Sequence, residues 1–264
     1  MRSLSLWDLA LVMGVASQAT ILAYTFNPRW KALIYALPVP FTLASLALGI
    51  DINATHIGGL FLLLLYIGMV YCLQRKVNVP VVPSIIVSAL TYVALGLLLA
   101  QHVPKNEAAF RLVLAAAVLV GIILHFSLPF KEEPGHRTSL PLHLKLPIIL
   151  CVVGGLVILK RYLQGFMTVF PMIGVIAAYE ARHSLWTLAR QIPALMFSFS
   201  AMIGVAHFLQ PHIGLGPALL LGWPVHLLLL TVSTRSMWRR MGKRTMADDE
   251  TKFVNKGRQN ANGT

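Results

Sequence analysis

Charge is scarce in this chain. Only 12% of its 264 residues are Asp, Glu, Lys or Arg, whereas 57% are hydrophobic and mean hydropathy is +0.72. A soluble domain carries about twice that charged fraction, which excludes water as the solvent for most of this surface. The shortage is uneven, with 9 acidic residues against 22 Lys and Arg and a net charge of +13. In a soluble protein that balance would point to nucleic acid. Here the positives stand between apolar runs, where they read as topology signals and as anchors for anionic lipid headgroups, with no nucleic acid implied. Cysteine is almost missing. Cys72 and Cys151 lie inside apolar runs without CxxC or Cys/His spacing, which argues against a disulfide framework and a zinc site. Catalytic motifs are missing too. There is no HExxH and no GxSxG. No two carboxylates of a span or outer loop stand close enough in sequence to hold magnesium pyrophosphate, and Arg137 with Glu132 and Glu133 is the only approach to a lipid-phosphatase loop. The sequence therefore predicts no enzyme, no cofactor and no metal.

What is present is a series of apolar runs of about the 20 residues that a helix needs to cross a bilayer. Nine can be drawn, at 4–26, 30–50, 57–74, 81–101, 109–128, 146–162, 164–181, 192–209 and 213–233. The first has no small-residue cleavage site before a polar mature domain and reads as a retained span. Lys and Arg collect on the cytoplasmic side of short loops. With nine crossings and the basic tail inside, 17 positives fall inside and five outside, the five being Arg2, Lys105, Arg111, Lys160 and Arg161. Dropping the sixth crossing gives 13 against 9. The expectation is an all-α, multi-pass membrane protein with nine spans, N-terminus outside and C-terminus cytoplasmic. After Ser233 the composition changes to RSMWRRMGKR, a basic anchor for anionic headgroups, and then to a polar tail expected to be disordered.

The end of the third run, Ile67-Gly68-Met69-Val70-Tyr71-Cys72-Leu73-Gln74, and that of the eighth, Ile203-Gly204-Val205-Ala206-His207-Phe208-Leu209-Gln210, share four of eight residues at an offset of 136. The runs before them each hold mid-helix proline, Pro38 and Pro40 in one and Pro171 in the other. The runs after them open near proline, at Pro80 and Pro83 and at Pro211 and Pro217. Spans one to four then correspond to spans six to nine, with the fifth as a central connecting helix. An odd number of crossings separates equivalents, so the two four-helix repeats are inverted, an architecture recurrent in secondary transporters. The layout is repeat A at 1–103, a connecting helix and cytoplasmic loop at 104–145, repeat B at 146–233 and the basic tail at 234–264.

Interrupted helices in equivalent places are the best pointer to a midplane site. That nominates Pro38, Pro40 and Pro171. Ionisable groups at membrane depth come next. Glu180, with Arg182 and His183 beyond it, reads as an interfacial salt bridge or a proton relay. His226 reads as a neutral histidine bonded to a carbonyl freed by Pro224, or as a site residue. Met196, Ser200, Gly204 and His207 share one helical face, a stripe that means close packing or a pathway wall. Ser17 and Gln18 have the same standing, while Asp8, Asp51 and Glu107 read as solvated or interfacial charge.

The stretch Lys160-Arg161-Tyr162-Leu163-Gln164-Gly165-Phe166-Met167-Thr168-Val169-Phe170-Pro171, followed by Ile176-Ala177-Ala178-Tyr179, resembles the GlpM family of small bacterial inner-membrane proteins. The likeness covers about the C-terminal half, and such proteins are about half as long, so it implies two fused copies in opposite orientation. It also implies a bacterial inner membrane and an envelope-lipid or polysaccharide context, and it brings no reaction and no catalytic residues. The functional expectation is a transporter for a small or lipid-linked solute working between the two halves. The alternative is a non-transporting scaffold or accessory subunit of envelope assembly. Partners on this reading are membrane lipids and an unknown small solute, and a homo-oligomer is left open.

Overall fold

The computed structural model describes residues 5–129, 131, 133–135, 147, 150–151, 154–155 and 162–261, with side chains as far as Arg239. Local chemistry sets where the helices begin. In α1 (Leu6–Tyr24) the Ser5 hydroxyl accepts from the Asp8 N–H while the Asp8 carboxylate accepts from the Ser5 N–H, so Asp8 is a buried cap and not a solvated charge. Asn27 caps α2 (Pro28–Tyr35), Asn53 caps α4 (Ala54–Arg75) and Asn106 caps α6 (Glu107–Ser127). Between α2 and α3 (Val39–Leu48) the chain is interrupted at Ala36-Leu37-Pro38, and α3 ends on Gly49 in the left-handed region at φ 62°. Next to α4 comes α5 (Val81–His102). A 3₁₀ turn, Gln164–Val169, leads through Pro171 to α7 (Met172–Glu180), followed by α8 (Leu185–Ile213) and α9 (Leu215–Ala261).

Among the described residues all regular structure is helical. Seven segments are long and apolar enough to cross a membrane: α1, the interrupted pair Pro28–Leu48, α4, α5, α6, α8 and α9 as far as Arg239. The chain is thus built as a multi-pass membrane protein. Of the nine expected runs, 146–162 lies almost wholly outside the described residues. The run 164–181 is not one helix, because the 3₁₀ turn and α7 meet at Pro171. The tail also departs from expectation: α9 continues to Ala261. No proline follows Pro224 within it, and Arg, Lys, Met, Ala and Glu in this stretch have high helical propensity.

The helix α8 lies at the centre, with 67% of its most apolar window buried, whereas the figure for α6 is 22%. Large side chains such as Ile86, Leu90 and Leu98 on α5 and Leu112, Leu119 and Ile123 on α6 are exposed, as a lipid-facing surface requires. The helices α4 and α8 run in opposite directions. The Gln74 side chain, at the end of α4, donates to the Arg182 carbonyl just before α8 (3.3 Å). The Gln210 side chain, at the end of α8, accepts from the Ile52 N–H (2.8 Å) and donates to its carbonyl (3.2 Å), just before α4.

The segment from Gly165 to Arg182 lies alongside α4 and runs in the same direction. Its start meets Thr55 and His56 at one end of α4, and Arg182 meets Gln74 at the other, a separation of about 28 Å at 1.5 Å per residue. Glycine permits this approach. A Cβ on Gly59 would lie 2.8 Å from Val169 Cβ, and one on Gly165 would lie 2.8 Å from the His56 backbone nitrogen.

Candidate functional site

In an α-helix each N–H bonds the carbonyl four residues earlier, so Pro38 leaves the Ile34 carbonyl without its helical partner and Pro40 does the same to Ala36. In a membrane such groups must find donors inside the protein. Both do. The Gln18 amide of α1 donates to the Ile34 carbonyl (2.6 Å) and to that of Leu37 (3.3 Å). His226 of α9 donates from Nε2 to the Ala36 carbonyl (3.0 Å). The expectation that His226 serves a carbonyl freed by Pro224 in its own helix is therefore corrected, since the carbonyl is one freed by Pro40 on a different segment. The indole of Trp223, one turn earlier in α9, donates to the Thr42 hydroxyl (2.9 Å) and pins α9 to α3.

The second interruption closes mainly upon itself. The Phe170 N–H bonds Met167, the carbonyl that Pro171 would have orphaned, and the Met172 N–H bonds Phe170 in a tight turn about Pro171 (φ −71°, ψ 53°). The Thr168 hydroxyl donates to Gly165 (2.6 Å). One donor comes from outside: the Tyr92 hydroxyl of α5 bonds the Phe166 carbonyl at 2.8 Å.

The two interruptions meet. A cavity of about 40 Å³ lies between them, lined by Tyr35 and Pro40 from the first, Thr168, Phe170, Pro171 and Gly174 from the second, Leu63 of α4 and Leu195 of α8. It has room for about three water molecules, at about 10–15 Å³ each. The Tyr35 hydroxyl on its wall is buried without a hydrogen-bond partner among the described residues, as is that of Tyr66. Gly174 makes space for both rings: a Cβ there would lie 3.3 Å from Tyr35 Oη and 3.3 Å from Tyr66 Cε1. An orphaned Tyr35 hydroxyl on the wall of a small cavity marks a place where a polar guest would find a partner.

The nominated residues thus divide. Pro40 and Pro171 line the cavity, while Pro38 caps α3 and makes the break without touching it. Glu180 is buried at the far end of α7, about 13 Å along the helix from Pro171, and its carbonyl accepts from the Lys31 ammonium (3.0 Å). His183 beyond it is exposed, and partial burial and then the Arg182 and Arg75 charges hold its pKa below the usual histidine value. Ser200 and His207 do not line the cavity. Their stripe packs on α6, where a Cβ on Gly121 would lie 3.2 Å from Met196 Cβ, a Cβ on Gly204 would lie 3.6 Å from Leu114, and His207 reaches Glu107. The contacts with α6 are made by Met196, Gly204 and His207, and which helix would cover such a face depends on topology.

Three tyrosines at or near the two interruptions, Tyr35, Tyr66 and Tyr92, were not singled out from the sequence, and neither was Lys31, buried by the Glu180 end of α7. The tyrosines carried a usable signal, because each is a phenol inside an apolar run. Lys31 was counted as a loop charge, yet it is 2% exposed. Among the described residues no three His, Cys, Asp or Glu side chains gather as metal ligands would. No protein-family model matches the chain, and no curated protein or solved structure shows a significant match to it.

Proposed function

We propose that this chain is a membrane transport protein that binds a small or lipid-linked solute between two inverted four-helix repeats. The observation that carries the reading is that Pro40 and Pro171, the breaks of the two halves, line one cavity. Reciprocal contacts support the inversion. Gln74 and Gln210, equivalent at the offset of 136, each bond the loop that precedes the other's helix. Tyr92 on the helix after α4 bonds a carbonyl beside the second break, and His226 on the helix after α8 bonds one beside the first. The segment 164–182 traverses the length of α4, so with a crossing at 146–162 the count becomes nine. The distribution of Lys and Arg supports an external N-terminus and a cytoplasmic tail, and the GlpM likeness supports a bacterial inner membrane. Among the described residues the cavity wall has hydroxyls and apolar groups and no charged side chain, which suits an uncharged portion of the solute.

The second reading is a scaffold of envelope assembly, and the tight interior favours it, since about 40 Å³ holds no solute larger than a few waters. Cysteine labelling separates the two. With Cys72 and Cys151 replaced by serine, a cysteine at Thr168 that reacts with an impermeant maleimide from both sides of the membrane supports alternating access. Failure from both sides, while a cysteine at Asn53 reacts, supports the scaffold. Labelling Asn53 and Gln164 only from outside and Gly135 and Thr264 only from inside is the outcome nine spans require. Reaction of Gln164 from the cytoplasm would overturn the inversion.

A further inference from the structure

One face of α4 is open and ends in cations. Phe61, Leu65, Gly68 and Cys72 recur at i, i+4, i+7 and i+11 on that face, and Lys76, the C-cap, follows four residues on. Leu65, Gly68, Cys72 and Lys76 are exposed. Ile67-Gly68 of α4 matches Ile203-Gly204 of α8 in sequence, but the two glycines are covered differently. A Cβ on Gly204 would lie 3.6 Å from Leu114 of α6, whereas a Cβ on Gly68 would meet nothing within 4 Å. At the end of the face the Arg75 guanidinium donates to the His183 carbonyl (3.1 Å). That acceptor is neutral, and among the described residues no carboxylate pairs with Arg75 or Lys76. The Glu133 carboxylate is taken by the Thr187 N–H (2.7 Å) and hydroxyl (3.0 Å), and Glu180 is buried. Partial burial and then the charges of Arg182 and Arg75 depress the His183 pKa, so the corner carries a positive potential. Tyr71 and Trp186 meet beside it with ring centroids 5.2 Å apart, as in the aromatic belt of a membrane interface.

We propose that this corner binds an anionic phospholipid, with the headgroup phosphate on Arg75 and Lys76 and one acyl chain lying along the Cys72, Gly68 and Leu65 face of α4. The depth fits. Leu65 lies about 15 Å from Arg75 along the helix at 1.5 Å per residue, half of a hydrocarbon core of about 30 Å. At Gly68 the backbone itself is the contact surface, which gives the chain room beside the helix. The guanidinium of Arg75 keeps N–H groups beyond the one spent on His183, in a planar fork that suits two phosphate oxygens. A zwitterionic headgroup brings its own cation to a corner that is already positive and gains less. A soluble anion finds the charge and leaves the apolar face bare, and a second copy seated here about a two-fold axis would set like charges together. The site is built from α4 and the turn before α8, not from the basic stretch after Ser233. It needs no solute to move and stands apart from the transport reading.

The test uses the full chain in detergent, titrated with equal amounts of phosphatidylglycerol and phosphatidylcholine and read by native mass spectrometry. The first lipid retained should be phosphatidylglycerol, preferred by about tenfold or more, as two cations near the surface contribute. In R75Q/K76Q that preference should fall to near parity. Gly68→Phe projects into open space, so thermal unfolding should be unchanged while retention of the first phosphatidylglycerol falls severalfold. Equal retention of the two lipids by the unaltered protein overturns the proposal, as does a preference that survives R75Q/K76Q or that only R235Q/R239Q removes. Retention unaffected by Gly68→Phe overturns the placement of the chain. Displacement of phosphatidylglycerol by millimolar inorganic phosphate would make this a site for a soluble anion, and a Cys72 to Cys72 disulfide formed in membranes of the Cys151→Ser protein would give the face to a second copy. Either result overturns the lipid site.

Discussion

At the first interruption two prolines stand two residues apart, so the Ile34 and Ala36 carbonyls both lose their helical partners; the Leu37 N–H reaches Ile34 locally at 3.2 Å, but the shorter bond to Ile34 and the bond to Ala36 come from other helices, from Gln18 of α1 and His226 of α9. At the second, a single proline sits in a turn that reuses its own N–H groups, and only Tyr92 comes from outside. A break that supplies its own donors can form before its neighbours dock. A break that borrows them holds its shape only in the assembled bundle. The second interruption depends instead on space, since it lies against α4 across Gly59 and Gly165. One break is therefore held by borrowed hydrogen bonds and the other by close approach.

Substitutions aimed at that contrast should rank in a definite order. Gly165→Val drives a side chain into Thr55 and His56 and should cost about 3 kcal/mol, read as loss of folded monomer in detergent. Gln18→Leu strips the shared donor from the Ile34 and Leu37 carbonyls, and a loss of about 2 kcal/mol is expected in thermal unfolding. His226→Leu leaves the Ala36 carbonyl bare and should cost about 1–2 kcal/mol by the same measurement. Tyr92→Phe, with most of its break closed locally, should cost about 0.6 kcal/mol, near the average for a hydrogen bond inside a membrane bundle. Were Tyr92→Phe to cost more than Gln18→Leu, the distinction between borrowed and local donors would be wrong. Tyr35→Phe sharpens the functional side. Its hydroxyl has no partner among the described residues, so stability should be unchanged within about 0.5 kcal/mol, while any solute affinity should fall.

Much of this architecture can be read along the chain. The apolar runs at 4–26, 57–74, 81–101, 109–128, 192–209 and 213–233 each became a membrane-length helix, because length and hydropathy are summed locally. The interruptions were legible for a similar reason: proline lacks an N–H wherever it sits. What occupies the vacancy was not legible. Gln18 lies 16 residues from Ile34 and His226 lies 190 from Ala36, separations across which no periodicity carries information. Lys31 shows the same limit from the charge side. It was counted with the loop positives, but α7 brings the Glu180 carbonyl to it from 149 residues away, and it is buried.

By itself, then, the sequence determined that the chain is an all-helical membrane protein and that its helices break at Pro38, Pro40 and Pro171, since both follow from the chemistry of one segment and its solvent. Only the tertiary structure decided that Pro40 and Pro171 share a cavity, that the stripe from Met196 to His207 faces α6, and that His207 meets Glu107 and Ile52 together. Those are matters of which helix lies beside which. Apolar surfaces are nearly interchangeable in their attraction, so neighbours are chosen by shape, glycine clearance and the few buried donors and acceptors that must pair.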